Sequence, residues 1–282
     1  MRVWFFMAKL AGLNEQQRTA VLHTEGPLLI LAGAGSGKTK ALTHRIAYLI
    51  TEKKVPPHNI LAVTFTNKAA GEMRERIKKL LEGSMVESAD GRTVAKAEPP
   101  FVGTFHSLGV RILRRDIAKL GYQSHFAIYD SQDQIALVKT VLAELKLDPK
   151  QFNPNMLLGL ISQAKNELRT PEQVKSRAHE FIEEVVAKVY ALYQQKLKDA
   201  DAVDFDDLLM LTVQLFEQYP KILQHYRERF HYIHVDEYQD TNHSQYKLVR
   251  MLAGDRRNVA VVGDDWQAIY GWRGADVRNI LE

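Results

Sequence analysis

Four short runs of β-branched and other apolar residues alternate with longer stretches in which apolar positions recur at helical intervals. The runs cover residues 27–32, 60–65, 232–235 and 259–262, and residues 101–105 form a fifth candidate. Each run ends in small or polar residues, which is typical of buried parallel strands with loops at their carboxyl ends. Strands that alternate with helices predict an α/β fold, in which helices cover both faces of a parallel sheet.

The middle of the chain differs, because from about residue 114 it shows helical periodicity and almost no strand pattern. Prolines divide this polar, Glu- and Lys-rich stretch into helices of ordinary length. The sequence therefore predicts an all-helical subdomain inserted into a discontinuous α/β domain. The predicted parts are an N-terminal extension at 1–12, the α/β domain at 13–113 and 203–282, and the helical insertion at 114–202.

The composition of the 282 residues is close to the average of globular chains, with 45% hydrophobic and 26% charged residues. The 38 Lys and Arg exceed the 34 Asp and Glu, and the net charge of +4 permits a polyanionic partner without requiring one. The absence of cysteine excludes a disulfide scaffold, a thiolate zinc site and a cysteine nucleophile. No apolar run approaches the ~18 residues of a membrane span, so we expect a cytoplasmic protein without a membrane partner.

A glycine-rich segment directly follows the first predicted strand and precedes a helical pattern. Its sequence, Ala32-Gly33-Ala34-Gly35-Ser36-Gly37-Lys38-Thr39, matches the phosphate-binding loop except that Ala32 replaces the first glycine. Glycines let successive backbone N–H groups curl around a phosphate, and the following helix directs its positive end at the anion. We expect Lys38 to reach the β and γ phosphates of a nucleotide and the Thr39 hydroxyl to bind Mg²⁺.

The predicted strand at 232–235 ends in two acids, Asp236 and Glu237. Their position at a strand end predicts that they lie beside the phosphate loop, at the carboxyl edge of the sheet. Asp236 is expected to hold Mg²⁺, and Glu237 to polarise an attacking water. Taken alone, the pair would be interpreted as an acidic strand end at a solvent rim, and the phosphate loop is what favours the catalytic interpretation. The stretch between Lys38 and Asp236 greatly exceeds the ~30 residues of a minimal βαβ unit, which agrees with an insertion.

Several further motifs occur in a fixed order along the chain. They cover residues 13–17, 64–70, 103–107, 235–241 and 262–275. Each fragment alone is modest support, but in this order they make nearly the whole chain resemble the N-terminal part of a UvrD/Rep/PcrA-type superfamily 1 DNA helicase. The resemblance implies a RecA-like domain of an ATP-dependent 3′-to-5′ helicase or translocase. It also implies single-stranded DNA and single-strand/double-strand junctions as partners, with ATP and Mg²⁺ bound.

The resemblance assigns further residues to the nucleotide site. Gln17 would read adenine, because a carboxamide can pair with both N6 and N7 of the base. Gln267 would contact the γ phosphate and sense its loss. Arg45 and Arg273 would also lie at the nucleotide, although Arg45 taken alone could be a surface arginine.

The same resemblance assigns DNA contacts to two strand ends and to the segment 262–275. Hydroxyl, amide and aromatic side chains suit phosphate contact and base stacking without reading the base sequence. The alternatives are loop capping at the strand ends and core packing for Trp272. The expected DNA-binding residues are Phe65, Thr66, Asn67, Thr104, Phe105, His106, Tyr270 and Trp272.

The chain departs from the family pattern in three respects. Trp266 stands where an acid is usual, and Gly271 replaces a larger residue. The chain also ends soon after this motif, whereas the family continues into a second RecA-like domain, whose arginines can contribute ~10³–10⁵ in rate. We therefore expect this chain to bind nucleotide, to hydrolyse it slowly, and not to unwind DNA without that missing domain.

Other functions stay open at this point. The chain could be an ATP- and DNA-binding module without productive turnover, or the helicase subunit of a helicase–nuclease complex. A GTPase is disfavoured, because Asn67-Lys68 is followed by two alanines rather than by the rest of a guanine-binding motif. A kinase would not need the segment 262–275.

Two other polar groups are interpreted as structural. The acids of Asp204-Phe205-Asp206-Asp207 have the spacing of a helix N-terminus, where they stabilise the helix dipole, rather than forming a metal site. His231 and His234 have an odd spacing, which directs them to opposite faces of a strand.

Overall fold

A computed structural model describes residues 10–33, 35–82 and 99–264. The strands are β1 Leu28–Leu31, β2 Ile60–Thr64, β3 Phe101–Thr104, β4 Ala127–Ile128, β5 Ala202–Val203, β6 Tyr232–Val235 and β7 Val259–Gly263. Five of them form one sheet in the order β1-β7-β6-β2-β3, and all neighbours in it run parallel. The five predicted strands and the predicted α/β class are confirmed.

The helices account for most of the remaining described chain. They are α1 Glu15–Leu22, α2 Lys38–Thr51, α3 Asn67–Leu81, α4 Phe105–Asp116, α5 Ser131–Glu144, α6 Pro154–Asn166, α7 Pro171–Ser176, α8 Phe181–Asp199, α9 Asp207–Gln218, α10 Pro220–Arg229 and α11 His243–Ala253. Within the described ranges, we find no helix that combines the length and the apolar character needed to cross a bilayer.

The core lies on both faces of the sheet, as predicted. All five residues of β2 are buried. Ile60 and Ala62 pack with α2 and α3, whereas Leu61 and Val63 pack with α4, α9, α10 and α11 on the opposite face. This alternation follows from the two-residue period of a strand.

Strand β1 is less buried than the sequence predicts, because it lies at the edge of the described sheet. Leu28 and Ile30 pack towards α2, whereas the side chains of Leu29 and Leu31 are substantially exposed. An apolar run therefore identified the strand but not its position in the sheet.

The middle of the chain is helical, as its periodicity predicts. Side chains of α5, α6 and α8 share a hydrophobic cluster of their own, and Pro154 and Pro171 stand at the first positions of α6 and α7. The sequence missed β4 and β5, which pair in parallel, because two residues are too few to show a period. The division into a RecA-like domain and an inserted subdomain stays a prediction.

Candidate functional site

The loop between β1 and α2 has the backbone geometry that a phosphate cradle needs. Gly35 and Gly37 adopt positive φ angles of 73° and 83°, a region that side-chain-bearing residues enter only with strain. Gly37 immediately precedes α2, so the helix directs its free N–H groups towards the loop. Ala34 lies outside the described residues.

Lys38, the first residue of α2, places its ammonium group at the end of the sheet. The group donates to the carbonyl of Ala32 and lies 3.3 Å from Asp264 Oδ2. Asp264 immediately follows β7, the strand beside β1. The ammonium charge is therefore held by an internal carboxylate at the position where a phosphate is expected.

Thr39 and Asp236 are brought together, although they are far apart in sequence. The Thr39 hydroxyl donates to Asp236 Oδ2 at 3.0 Å. Burial and the neighbouring Glu237 raise the pKa of Asp236, partly offset by the Thr39 hydrogen bond. An added cation would relieve the cost of this buried negative charge.

These two side chains fit a magnesium ion in their chemistry. A hydroxyl and a carboxylate are hard oxygen donors, and Mg²⁺ is usually held by one or two such groups together with waters and substrate phosphates. Among residues 10–33, 35–82 and 99–264, no group of three or more His, Cys, Asp or Glu side chains could hold a metal. A phosphate-assisted magnesium site therefore suits the donor set better than a closed protein cage.

Glu237 is held in an unusual backbone conformation. Its φ and ψ are 53° and 46°, the left-handed region that costs a non-glycine residue ~1–3 kcal/mol. Gln239 donates to Glu237 Oε2 at 2.7 Å and accepts from the backbone N–H of Asp264 at 3.1 Å. A buried carboxamide thus joins the candidate water-polarising acid to the residue that pairs with Lys38.

Sequence reasoning missed Gln239 and Asp264 as site residues. Both lie within the motifs quoted above. Asp264 directly follows β7 and Gln239 lies in the short turn after β6, so their position was the available signal. Which side chains meet depends on strand order, because β6 and β7 must be neighbours for the bridge between them to form.

Gln17, the expected adenine reader, lies against the phosphate loop. Its side-chain N–H donates to the Ser36 carbonyl at 2.8 Å, and its Oε1 accepts from the Asn14 backbone at 3.1 Å. The second contact belongs to a capping box that begins α1. Gln17 therefore links the start of α1 to the loop.

Arg45 is not a surface residue, so that alternative is wrong. Its side chain is 1% exposed, and its guanidinium donates to the carbonyls of Ala20 and Thr24 at 3.3 and 3.0 Å. Burial lowers the pKa of Arg45 to about 10. The described contacts tie α2 to the end of α1, the helix that carries Gln17.

A cleft of about 260 Å³ lies where β2 and β3 end side by side. It brings together six of the expected DNA-binding residues with three that were not expected. The lining residues are Thr64, Phe65, Thr66, Asn67, Thr104, Phe105, His106, Phe205 and Gln245.

The cleft residues differ in whether their side chains have structural roles and in whether they are exposed enough to contact a ligand. Thr66 and Thr104 cap α3 and α4 with their hydroxyls, as the capping alternative predicted. Phe105 is buried in the core cluster and forms a wall of the cleft. Asn67 is exposed, and Phe65 and His106 are half-buried.

Phe205 is the aromatic residue that sequence reasoning missed. It is 53% exposed, and its ring stacks on His106 with centroids 3.9 Å apart. The available signal was a large aromatic residue between acids at a helix start, where burial is not expected. The neighbouring acids do begin α9, and Lys165 pairs with two of them.

The two histidines of the β6 region lie in different surroundings. The ring of His231 contacts the Asn59 side chain at 2.8 Å. His234 is fully buried, and burial lowers its pKa to about 3. The predictions for Gln267, Arg273, Tyr270 and Trp272, and for the departures at Trp266 and Gly271, lie outside the described residues.

The parallel sheet, the glycine loop that opens α2 and the Thr39–Asp236 pair define a RecA-like P-loop domain. The family of UvrD/REP helicase N-terminal domains matches residues 13–282, and the chain belongs to this family. The resemblance predicted from the motifs is therefore confirmed.

Named relatives agree with this assignment. The chain is 52% identical over 274 residues to the ATP-dependent DNA helicase PcrA of Staphylococcus aureus strain Mu50. It is 53% identical over 272 residues to the ATP-dependent DNA helicase PcrA of Bacillus subtilis strain 168. These matches cover 97% and 96% of the chain but 36% and 35% of the relatives, so the chain spans about a third of their length.

Proposed function

We propose that this chain is the ATP-binding motor half of a 3′-to-5′ DNA helicase, which binds ATP with Mg²⁺ and single-stranded DNA at one edge of its sheet. The observation that carries the proposal is one polar network. Asp264 and Gln239 connect Lys38 to Glu237, and the backbone N–H of Glu237 donates to Asp236, which accepts from the Thr39 hydroxyl. This network supports the proposal, because phosphoryl transfer to water requires groups that bind phosphate, bind metal and polarise water close together.

Each residue has a defined task in this proposal. Lys38 exchanges the Ala32 carbonyl and Asp264 for the β and γ phosphates, while the loop N–H groups hold the remaining phosphate oxygens. Thr39 and Asp236 hold Mg²⁺, which neutralises charge on the phosphates when bound. Glu237 accepts a proton from the attacking water, and its link to Gln239 keeps the carboxylate oriented.

Further tasks are proposed for residues around this network. Gln17 hydrogen-bonds the adenine edge, and Gln267 and Arg273 contact the phosphates. Arg45 acts through α1, since its guanidinium donates to the Ala20 carbonyl of that helix and to the Thr24 carbonyl shortly after it.

The cleft at the ends of β2 and β3 is proposed to hold single-stranded DNA. Phe65, His106 and Phe205 offer ring faces to bases, and Asn67 offers an amide to the backbone. Stacking of this kind tolerates any base, which suits a motor that moves along DNA regardless of sequence. Tyr270 and Trp272 are proposed to extend the stacking surface, and the preferred substrate is a junction of single and double strands.

We further propose that a second RecA-like domain is the partner needed for full turnover and unwinding. Arginines from such a domain stabilise charge in phosphoryl transfer and can raise the rate by ~10³–10⁵. The relatives, whose length is nearly three times the matched region, have room for one. A subunit of a helicase–nuclease complex would use the same site.

The test is nucleotide binding and hydrolysis by the purified chain, with and without oligo-dT. Lys38→Ala should abolish binding of a fluorescent ATP analogue. Lys40→Ala is the matched control, because the Lys40 ammonium lies on the same helix but donates to the Gly12 carbonyl. Unchanged binding by Lys38→Ala would refute the proposed site. Strong DNA-stimulated hydrolysis by the parent chain would show that the second domain is not needed for turnover.

A further inference from the structure

Lys165, near the end of α6, is a completely buried lysine that the proposed mechanism does not use. Its Nζ lies 2.6 Å from Asp204 Oδ2 and 2.8 Å from Asp207 Oδ1. Burial alone would lower the pKa of Lys165, but the two carboxylates outweigh burial and raise it. Lys165 is therefore a fixed cation between two acids that belong to a different part of the chain.

The two acids fix the turn that precedes α9. The N–H of Asp207 donates to Asp204 Oδ1 at 2.9 Å, and the N–H of Asp204 donates to Asp207 Oδ2 at 3.1 Å. The Tyr193 hydroxyl donates to Asp204 at 3.0 Å, and Gln194 donates to Asp207 at 3.2 Å. Both carboxylates are thus held from three sides.

Phe205 lies inside this turn, directly after Asp204. About half of its side chain is exposed to solvent, so apolar packing alone does not fix the position of the ring. The backbone on either side is anchored instead, by the buried carboxylates that Lys165 holds. This anchoring places the ring against His106 in the cleft at the ends of β2 and β3.

A second contact from α6 reaches the segment that follows Glu237. Asn166 accepts from the Asn242 side chain at 2.6 Å and donates to Asp206 at 3.3 Å. Asn242 caps α11 and accepts from the N–H of Gln245, another residue of the cleft. The end of α6 therefore contacts two of the segments that line the cleft.

We propose that Lys165 is a positioning residue for DNA binding, which holds the 204–207 turn so that Phe205 presents its ring to a base. The proposal rests on the proposed function, since it assumes that the cleft holds single-stranded DNA. It assigns to a buried lysine of the helical segment an effect on a surface it does not touch. A lysine that served only the stability of the fold would not act through Phe205.

A double-mutant cycle between Lys165→Met and Phe205→Ala tests the proposal. The affinity for fluorescein-labelled oligo-dT is measured by anisotropy, and the affinity for a fluorescent ATP analogue serves as the control for the fold. We expect Phe205→Ala to weaken DNA binding about tenfold, as loss of one stacked base does. Lys165→Met should cause a similar loss in the parent chain, a negligible further loss in the Phe205→Ala chain, and unchanged nucleotide binding.

Two variants support this comparison. Tyr193→Phe removes only the hydroxyl that donates to Asp204. If Lys165→Met does not fold, Tyr193→Phe replaces it in the double-mutant cycle with Phe205→Ala. We expect about a threefold loss of DNA affinity from it, again only when Phe205 is present. Phe181→Ala is the matched control for Phe205→Ala, since Phe181 is also exposed but lies outside the cleft.

The outcomes separate the two proposals. Equal losses from Lys165→Met with and without Phe205, or no loss at all, would overturn the positioning role while leaving the DNA cleft intact. Undiminished DNA binding by Phe205→Ala would overturn the role of Phe205 in the cleft, and the positioning role with it.

Discussion

Replacing Lys165 and, separately, Lys196 by methionine should show how much the burial of an ion pair contributes to the stability of the fold when the distance between the charged atoms is the same. Each lysine Nζ lies 2.6 Å from a carboxylate oxygen, of Asp204 and of Glu144 respectively. The Lys165 side chain is 0% exposed, whereas those of Lys196 and Glu144 are 27% and 51% exposed. The two pairs therefore match in geometry and differ in solvent access.

The expected losses of stability differ several-fold. Removing one partner of a buried ion pair costs ~3–5 kcal/mol, because the remaining charge is left without compensation. Here Lys165→Met leaves two buried carboxylates, Asp204 and Asp207. An exposed pair contributes ~0–1 kcal/mol, so Lys196→Met should cost no more than that.

The loss for Lys165→Met should also depend on pH. Burial and the charge of Asp204 already raise the pKa of Asp207 to about 6, and removing the ammonium raises it further. A carboxyl whose pKa is higher in the folded than in the unfolded chain favours folding at low pH. That contribution is lost as the pH rises through the folded pKa. Lys165→Met should therefore lose less stability at pH 5 than at pH 8. The free energy of unfolding changes by ~1.4 kcal/mol for each pH unit over which one carboxyl is protonated in the folded but not in the unfolded chain.

Urea unfolding of the parent and the two variants at pH 5 and pH 8 measures these differences. A loss below about 1 kcal/mol for Lys165→Met at pH 8 would refute the argument from burial. An equal loss at both pH values would refute the argument from protonation.

Two glycine substitutions test the packing and the loop. Gly109→Ala should destabilise the fold by ~1–3 kcal/mol, because a Cβ there would lie 2.5 Å from the Leu208 carbonyl, whereas Gly159→Ala, with open space around its Cβ position, should stabilise it by ~0.5–1 kcal/mol. Equal melting temperatures for this pair would contradict the close contact between α4 and α9. Gly37→Ala should weaken binding of a fluorescent ATP analogue about tenfold, because its φ of 83° strains an alanine and the new Cβ would lie 2.6 Å from Gln17 Nε2. Parent-like affinity would show that the loop tolerates another conformation.

The sequence predicted the sheet well because its strands are short apolar runs that end in loops. The runs at 60–65 and 232–235 became β2 and β6 with at most one residue of difference. The boundary after β3 moved by one residue, since Thr104 caps α4 and Phe105 begins the helix. Such local effects shift element ends without changing the elements.

The candidate site was predictable in part. Order along the chain predicted Lys38, Thr39, Asp236 and Glu237 as neighbours at one edge of the sheet, because glycine loops and strand-end acids have local signatures. Gln239 was not predicted as a bridge, since one of its partners, Asp264, follows a different strand of the sheet. Spacing gave no indication that Phe205 would stack on His106 either, because the start of α4 and the turn before α9 meet only in the fold.

The sequence by itself determined the strands of the main sheet, the glycine loop before α2 and the family, because each depends on residues that are neighbours along the chain. The tertiary structure alone decided that Asp264 pairs with Lys38, that Arg45 is buried, and that Lys165 lies between two acids. These contacts join segments separated by tens to hundreds of residues. Their formation depends on strand order and helix packing, which no local pattern encodes.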